Sequence, residues 1–128
     1  MMEENKKHIL VVDDEIIGAM NLAQLVRTWG FYDCEIAGSV EEALKQVEGC
    51  RPDLIIMDVK LGKDTRGGIE AAKKILTKHR VPIIFITGYD IEELLAEDPG
   101  GLTAFLNKPL DLKQLKTTIE SFLEKARP

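Results

Sequence analysis

Four places in this 128-residue sequence hold side chains suited to polar chemistry, and each follows a short apolar run. Asp13-Asp14 follow His8–Val12, Asp58 follows Leu54–Met57, Thr87 follows Ile83–Ile86, and Lys108-Pro109 come after Ala104–Leu106 and Asn107. Three carboxylates gathered at one point repel one another, which raises at least one pKa unless a cation neutralises them. A divalent metal is therefore implied. The donors are all oxygen, which favours a hard ion, and Mg²⁺ suits a site of few carboxylates that keeps positions for water and phosphate oxygen. Beside such an ion the other groups fit phosphoryl transfer to a carboxylate. Asp58 is the nucleophile, the Lys108 ammonium holds charge developing on phosphate oxygen, and the Thr87 hydroxyl supplies a hydrogen bond. Such a transfer depends on in-line positioning and charge stabilisation more than on acid–base chemistry, in keeping with a set that has no His.

For these residues to meet, the apolar runs must lie side by side. Runs rich in Ile, Val, Leu and Phe alternate with longer segments at helical spacing, the pattern of βα units around a parallel sheet covered on both faces. The expected strands are His8–Val12, Cys34–Ala37, Leu54–Met57, Ile83–Ile86 and Ala104–Leu106. The first helix carries Ile16, Met20, Ala23, Val26 and Trp29 on one face and stops at Gly30. The second opens with Ser39 and Glu42 at capping-box spacing, turns Val40, Ala43, Leu44 and Val47 inward, and meets Gly49 at its end. Ile69, Ala72, Ile75 and Leu76 mark the third. A short fourth helix is expected near Ile91–Ala96, before the turn at Pro99-Gly100-Gly101. Leu112, Leu115, Ile119 and Phe122 mark the fifth, with Asp111 and Gln114 at its start. Every candidate functional residue then falls at a carboxyl end of a strand, the edge where open α/β sheets bind ligands.

Composition narrows the function. Seventeen basic residues against 22 acidic give a formal charge of −5, the wrong sign for neutralising nucleic-acid phosphates, so no direct nucleic-acid partner is expected. No apolar run approaches the roughly 18 residues of a membrane span, and aspartates cut short the run that starts at His8, so neither a span nor a signal peptide is expected and the chain reads as cytoplasmic. Cys34 and Cys50 lack zinc-site spacing and are too few for a disulfide framework. Length fits one domain, expected over residues 1–128; no repeat or linker stands out, and no output domain is expected.

The motifs ILVVDDE (Ile9–Glu15), DLIIMDVKL (Asp53–Leu61), FITG (Phe85–Gly88) and FLNKPL (Phe105–Leu110), in this order, resemble the receiver family of two-component response regulators. The resemblance implies a flavodoxin-like, doubly wound (βα)5 fold with strand order 2-1-3-4-5. It implies that Asp58 is the phosphoacceptor and that Asp13, Asp14, Asp58 and the backbone carbonyl of Lys60 hold Mg²⁺. Lys108 pairs with the phosphoryl group, Thr87 moves toward it, and Phe105 turns inward with Thr87, altering the face made by the fourth helix, fifth strand and fifth helix. The Lys108–Pro109 bond is expected to be cis. Partners implied are a sensor histidine kinase or a histidine phosphotransfer domain, and an effector at that face. The chain is expected as a monomer or a phosphorylation-dependent homodimer.

The sequence departs from the family pattern in two places. The loop Gly62–Gly67 is longer than usual, with Gly62 where proline is common, and Phe105 lacks the hydroxyl of the frequent tyrosine, leaving burial as the main gain on turning inward. Lys60 and Tyr89 stand where the family varies phosphoryl lifetime, and they are expected to slow hydrolysis by covering the path of water. Other readings stay open. An Asp-Asp pair, a lysine or a threonine alone is commonly a helix cap or a surface group. A degenerate receiver acting as a constitutive interaction module, or the receiver of a hybrid kinase or larger regulator, keeps the same fold. An enzyme acting on other substrates is disfavoured, because Val59-Lys60 stand where aspartyl-phosphate phosphatases carry D-x-D, and the acidic pair would repel a flavin phosphate.

Overall fold

The structure, a computed structural model, describes residues 6–125. The apolar runs form five parallel strands, β1 (His8–Val12), β2 (Asp33–Ala37), β3 (Leu54–Asp58), β4 (Ile83–Thr87) and β5 (Thr103–Asn107). Their order in the sheet is β2-β1-β3-β4-β5, the doubly wound arrangement the resemblance implies. β1, β3 and β4 are interior strands buried at every position, which is why their residues are almost all Ile, Leu, Val, Met and Phe. β2 and β5 are the edges and mix buried with half-buried and exposed residues. Strand pairing runs further than the apolar runs. Asp58 pairs with Ile86 and Thr87 with Asn107, so Asp58 and Thr87 occupy the last rungs of their strands instead of following them.

The helices are α1 (Ile16–Thr28), α2 (Val40–Gly49), α3 (Gly67–Leu76), α4 (Ile91–Leu94) and α5 (Leu112–Lys125), with a 3₁₀ turn at Leu95–Glu97 continuing α4. On one face of the sheet Leu10, Ile55, Met57, Ile83 and Phe85 pack with Ala43 and Val47 of α2, Ile69, Ala72 and Ile75 of α3, and Leu94 of α4. On the other, Ile9, Val11, Ile56, Ile84 and Ile86 pack with Ala19, Ala23 and Val26 of α1 and Leu115, Ile119 and Phe122 of α5.

Two helix details differ from the sequence expectation. The buried stripe of α1 is Ala19, Ala23 and Val26, while Ile16 and Met20 are 49% and 55% exposed. Small alanines bring the helix close to the sheet, and Met20, one residue or about 100° round from Ala19, then points away. Leu112, in the first turn of α5, is likewise exposed (47%). As expected, α2 ends on Gly49, with extended Cys50 as its cap, and Gly30 follows α1 with a left-handed φ of 99°. At the start of α2, Ser39 Oγ accepts the Glu42 N–H (3.1 Å), and the Glu42 carboxylate accepts from the Gly38 N–H. Asp111 Oδ1 accepts the Gln114 N–H (3.1 Å) at the start of α5.

Candidate functional site

Parallel pairing puts the carboxyl ends of β1, β3, β4 and β5 along one edge, and the predicted residues converge there. Asp58 closes β3 and is 6% exposed; Thr87 closes β4 and is 1% exposed. Asp13 follows β1, held by its N–H to Ala37 O (3.0 Å). Asp13, Asp14 and Asp58 each present a carboxylate oxygen, and these oxygens lie within 4.8 Å of one another, the arrangement of a metal-holding cluster. Lys108 reaches in from the end of β5, its Nζ 2.9 Å from Asp58 Oδ2. The other oxygen, Oδ1, accepts the Lys60 N–H at 3.3 Å. A cavity of about 340 Å³ opens here, with Asp13, Asp58 and Lys108 in its wall over an apolar floor of Val11, Ile56 and Ile86.

The charges perturb one another. Burial raises the Asp13 pKa, and Asp58 and Asp14 push it up further, against the Glu15 N–H (3.0 Å from Oδ1) and Lys108, which lower it. Burial alone would lower Lys108; the hydrogen bond and charge of Asp58, with Asp13 and Glu15, outweigh it and raise the pKa, fixing the ammonium. Asp14 is exposed, and its Oδ2 accepts the Gly62 N–H (2.8 Å), so the loop after β3 is tied to one of the clustered carboxylates.

That loop explains how its extra length fits. Leu61 and Asp64 exchange both main-chain hydrogen bonds (3.1 Å each) across a tight turn in which Gly62 has φ 63°. The chain then enters α3 through Gly68, whose N–H reaches Val59 O (2.8 Å). A Cβ on Gly68 would stand 2.0 Å from Asp58 O, so only glycine permits α3 to abut the Asp58 main chain. Sequence reading passed over Gly68; its signal is a Gly-Gly pair opening a helix, where propensity disfavours it.

At the ends of β4 and β5, Thr87 Oγ1 accepts the Tyr89 N–H (2.8 Å), and Asn107 Nδ2 donates to Tyr89 O (2.7 Å) and Thr87 O (3.3 Å). Lys108 N–H also reaches Thr87 O (2.8 Å), and the Lys108–Pro109 peptide is cis. Phe105 is half-buried and stacked on buried Phe85, ring centres 4.8 Å apart. Tyr89 lies beneath the Arg66 guanidinium, 5.0 Å from its ring centre, while Lys60 is exposed. Cys34, buried on β2, has its thiol pushed up to about 11 by burial; exposed Cys50 is also free, and neither belongs to the site. Among the described residues no helix is long and apolar enough to cross a membrane.

Known proteins are similar to this chain in sequence and fold. The response regulator receiver domain family matches residues 9–120. The transcriptional regulatory protein PdtaR of Mycobacterium tuberculosis is 35% identical over 94% of this chain and 58% of its own length. The transcriptional regulatory protein ZraR of Escherichia coli is 35% identical over 95% of this chain and 27% of its own. The chain thus spans less than two thirds of these relatives. The receiver domain of PhyR from Erythrobacter litoralis superposes with a TM-score of 0.79 at 34% identity, covering 93% of this chain and 91% of that one. A two-component response regulator from Clostridium difficile shares the fold with a TM-score of 0.86 at 23% identity, covering 96% and 100%. With the family matched from β1 into α5, and the strand order and acidic edge in place, the chain belongs to the response-regulator receiver domains of two-component signalling.

Proposed function

We propose that Asp58 accepts a phosphoryl group from the phosphohistidine of a sensor kinase or a histidine phosphotransfer domain, in a Mg²⁺-dependent reaction that the domain itself catalyses. The observation that carries this reading is the Lys108 ammonium 2.9 Å from the Asp58 carboxylate, beside the acidic cluster. The donor set fits the ion: backbone donors take one oxygen each of Asp13 and Asp14, and the other oxygen of each is available. Asp13, Asp14, Asp58 and the Lys60 carbonyl would hold Mg²⁺, which when bound neutralises charge on the incoming phosphoryl oxygens.

The chain's residues supply the rest. A carboxylate oxygen of Asp58 forms the new O–P bond as the donor P–N bond breaks, and Lys108 meets the charge on the transferred group. Thr87 turns toward that group and Phe105 settles further against Phe85, changing the face of α4, β5 and α5 read by an effector. Lys60 and Tyr89 shield the acyl phosphate from water. Receiver domains serve kinases and effectors in general; for this chain we propose a monomer or phosphorylation-dependent homodimer, and residues 1–128 as one receiver. PdtaR and ZraR extend well beyond their matched portions, which favours as a second reading the receiver of a larger regulator.

Intact mass after incubation with acetyl phosphate and Mg²⁺ tests the proposal. A gain of one phosphoryl mass that disappears in Asp58→Ala and with EDTA is expected. No gain in folded protein points to a constitutive interaction module.

A further inference from the structure

Arg66 joins the loop beside Asp58 to the segment that follows Thr87. Its main chain is pinned where α3 begins, with its N–H donated to Asp64 Oδ1 (2.9 Å) and its carbonyl accepting from the Glu70 N–H (3.0 Å). From that base its Nε lies 2.9 and 3.1 Å from the two carboxylate oxygens of Glu97, and its guanidinium carbon sits 5.0 Å from the Tyr89 ring centre. Glu97 closes the 3₁₀ turn after α4, and Tyr89 lies in the loop before α4, so one side chain grips both ends of the α4 segment. α4 itself is four residues long, too short to persist on its own hydrogen bonds.

The grip extends to the site. Tyr89 N–H is donated to Thr87 Oγ1 (2.8 Å), so the Thr87 hydroxyl and the Tyr89 main chain are coupled. We infer that Arg66 is a latch, a positioning residue that acts through Tyr89 and Glu97 to hold Thr87 in the conformation described here and so opposes the switch. The inference rests on the reading of Asp58 as phosphoacceptor and Thr87 as the group that turns toward the phosphoryl. That turn draws Tyr89 away from the guanidinium and breaks the contact. A partly exposed ion pair and one cation–π contact shift such an equilibrium by roughly three- to tenfold. The sequence offered no hint of this: Arg66 and Glu97 lie 31 positions apart, each an ordinary surface residue by type.

The test is the affinity of the full chain for beryllofluoride, an anion that mimics a phosphoryl group on a carboxylate, titrated with Mg²⁺ present and followed by amide NMR. Arg66→Met is expected to bind about three- to tenfold more tightly than wild type. Glu97→Gln should tighten binding by less, the double variant should match Arg66→Met, and Arg66→Lys should fall between Arg66→Met and wild type. A merely structural role predicts weaker binding, since a damaged fold loses the site. Binding equal to or weaker than wild type, in an Arg66→Met protein that melts cooperatively, overturns the latch and leaves the phosphoacceptor reading intact. If Arg66→Met does not fold, Glu97→Gln decides in the same way. Wild type that binds no beryllofluoride defeats the phosphoacceptor reading, and the latch with it.

Discussion

Gly68 and Asp13 make opposite predictions about the same edge of the sheet. A methyl on Gly68 would fall 2.0 Å from Asp58 O and 2.9 Å from its carbonyl carbon, against main chain that has nowhere to move cheaply. Gly68→Ala is expected to cost about 1–3 kcal/mol in urea unfolding, the usual penalty for overfilling a packed site. It should also cut the acetyl-phosphate mass gain at least about tenfold, because a shift of about 1 Å at the reacting group carries losses of that order or more. Asp13 is held at a cost. Its folded pKa is raised above 3.8, so its contribution to stability is present below that value and is lost as pH rises through the folded pKa. At neutral pH, Asp13→Asn is therefore expected to raise the melting temperature in EDTA, and to remove the further rise that the proposed Mg²⁺ binding predicts for wild type. Asp13, Asp14, Asp58, Thr87 and Lys108 were legible together, since all five fall at carboxyl ends of strands that a parallel sheet aligns along one edge, although each alone reads as an ordinary cap or surface group. Gly68 and Arg66 were not, since their meaning depends on a neighbour that only the fold supplies.

Among the elements, the interior strands could be read directly, because burial on both faces demands unbroken apolar runs. β2 and β5 gave a weaker pattern for the physical reason that each is an edge with polar positions facing out. The face of α1 was read correctly at Ala23 and Val26 but not in its first turns: apolar type suggested Ile16 and Met20, but the close approach of helix to sheet selects Ala19. This assigns opposite tolerances to neighbouring positions. Ala23→Leu should destabilise by about 1–3 kcal/mol through overpacking, whereas Met20→Gln should stay within about 0.5 kcal/mol, both from urea unfolding midpoints. Equal costs at the two positions would mean that α1 is rotated from the orientation described here.

At the scale of the molecule, the sheet divides the interior into two apolar layers, and the acidic edge is where the layers stop. Residues inside the layers therefore bear on stability and not on the chemistry of the edge. Cys34, in one of these layers, has a folded pKa of about 11 against an ordinary value of 9.0, so its contribution is complete below pH 9 and is lost as pH rises through 11. Unfolding free energy should fall by about 2–3 kcal/mol more across that window in wild type than in Cys34→Ala, the equivalent of two pKa units. Phosphorylation should require the carboxylates of the edge. The most direct measurement of that central claim is borohydride reduction of protein treated with acetyl phosphate and Mg²⁺, followed by peptide mass mapping, because an aspartyl phosphate is reduced to homoserine at the residue that carried it. Homoserine at position 58, absent without Mg²⁺, is the predicted result. Homoserine at position 13 or 14, or at none of the three, would contradict the account.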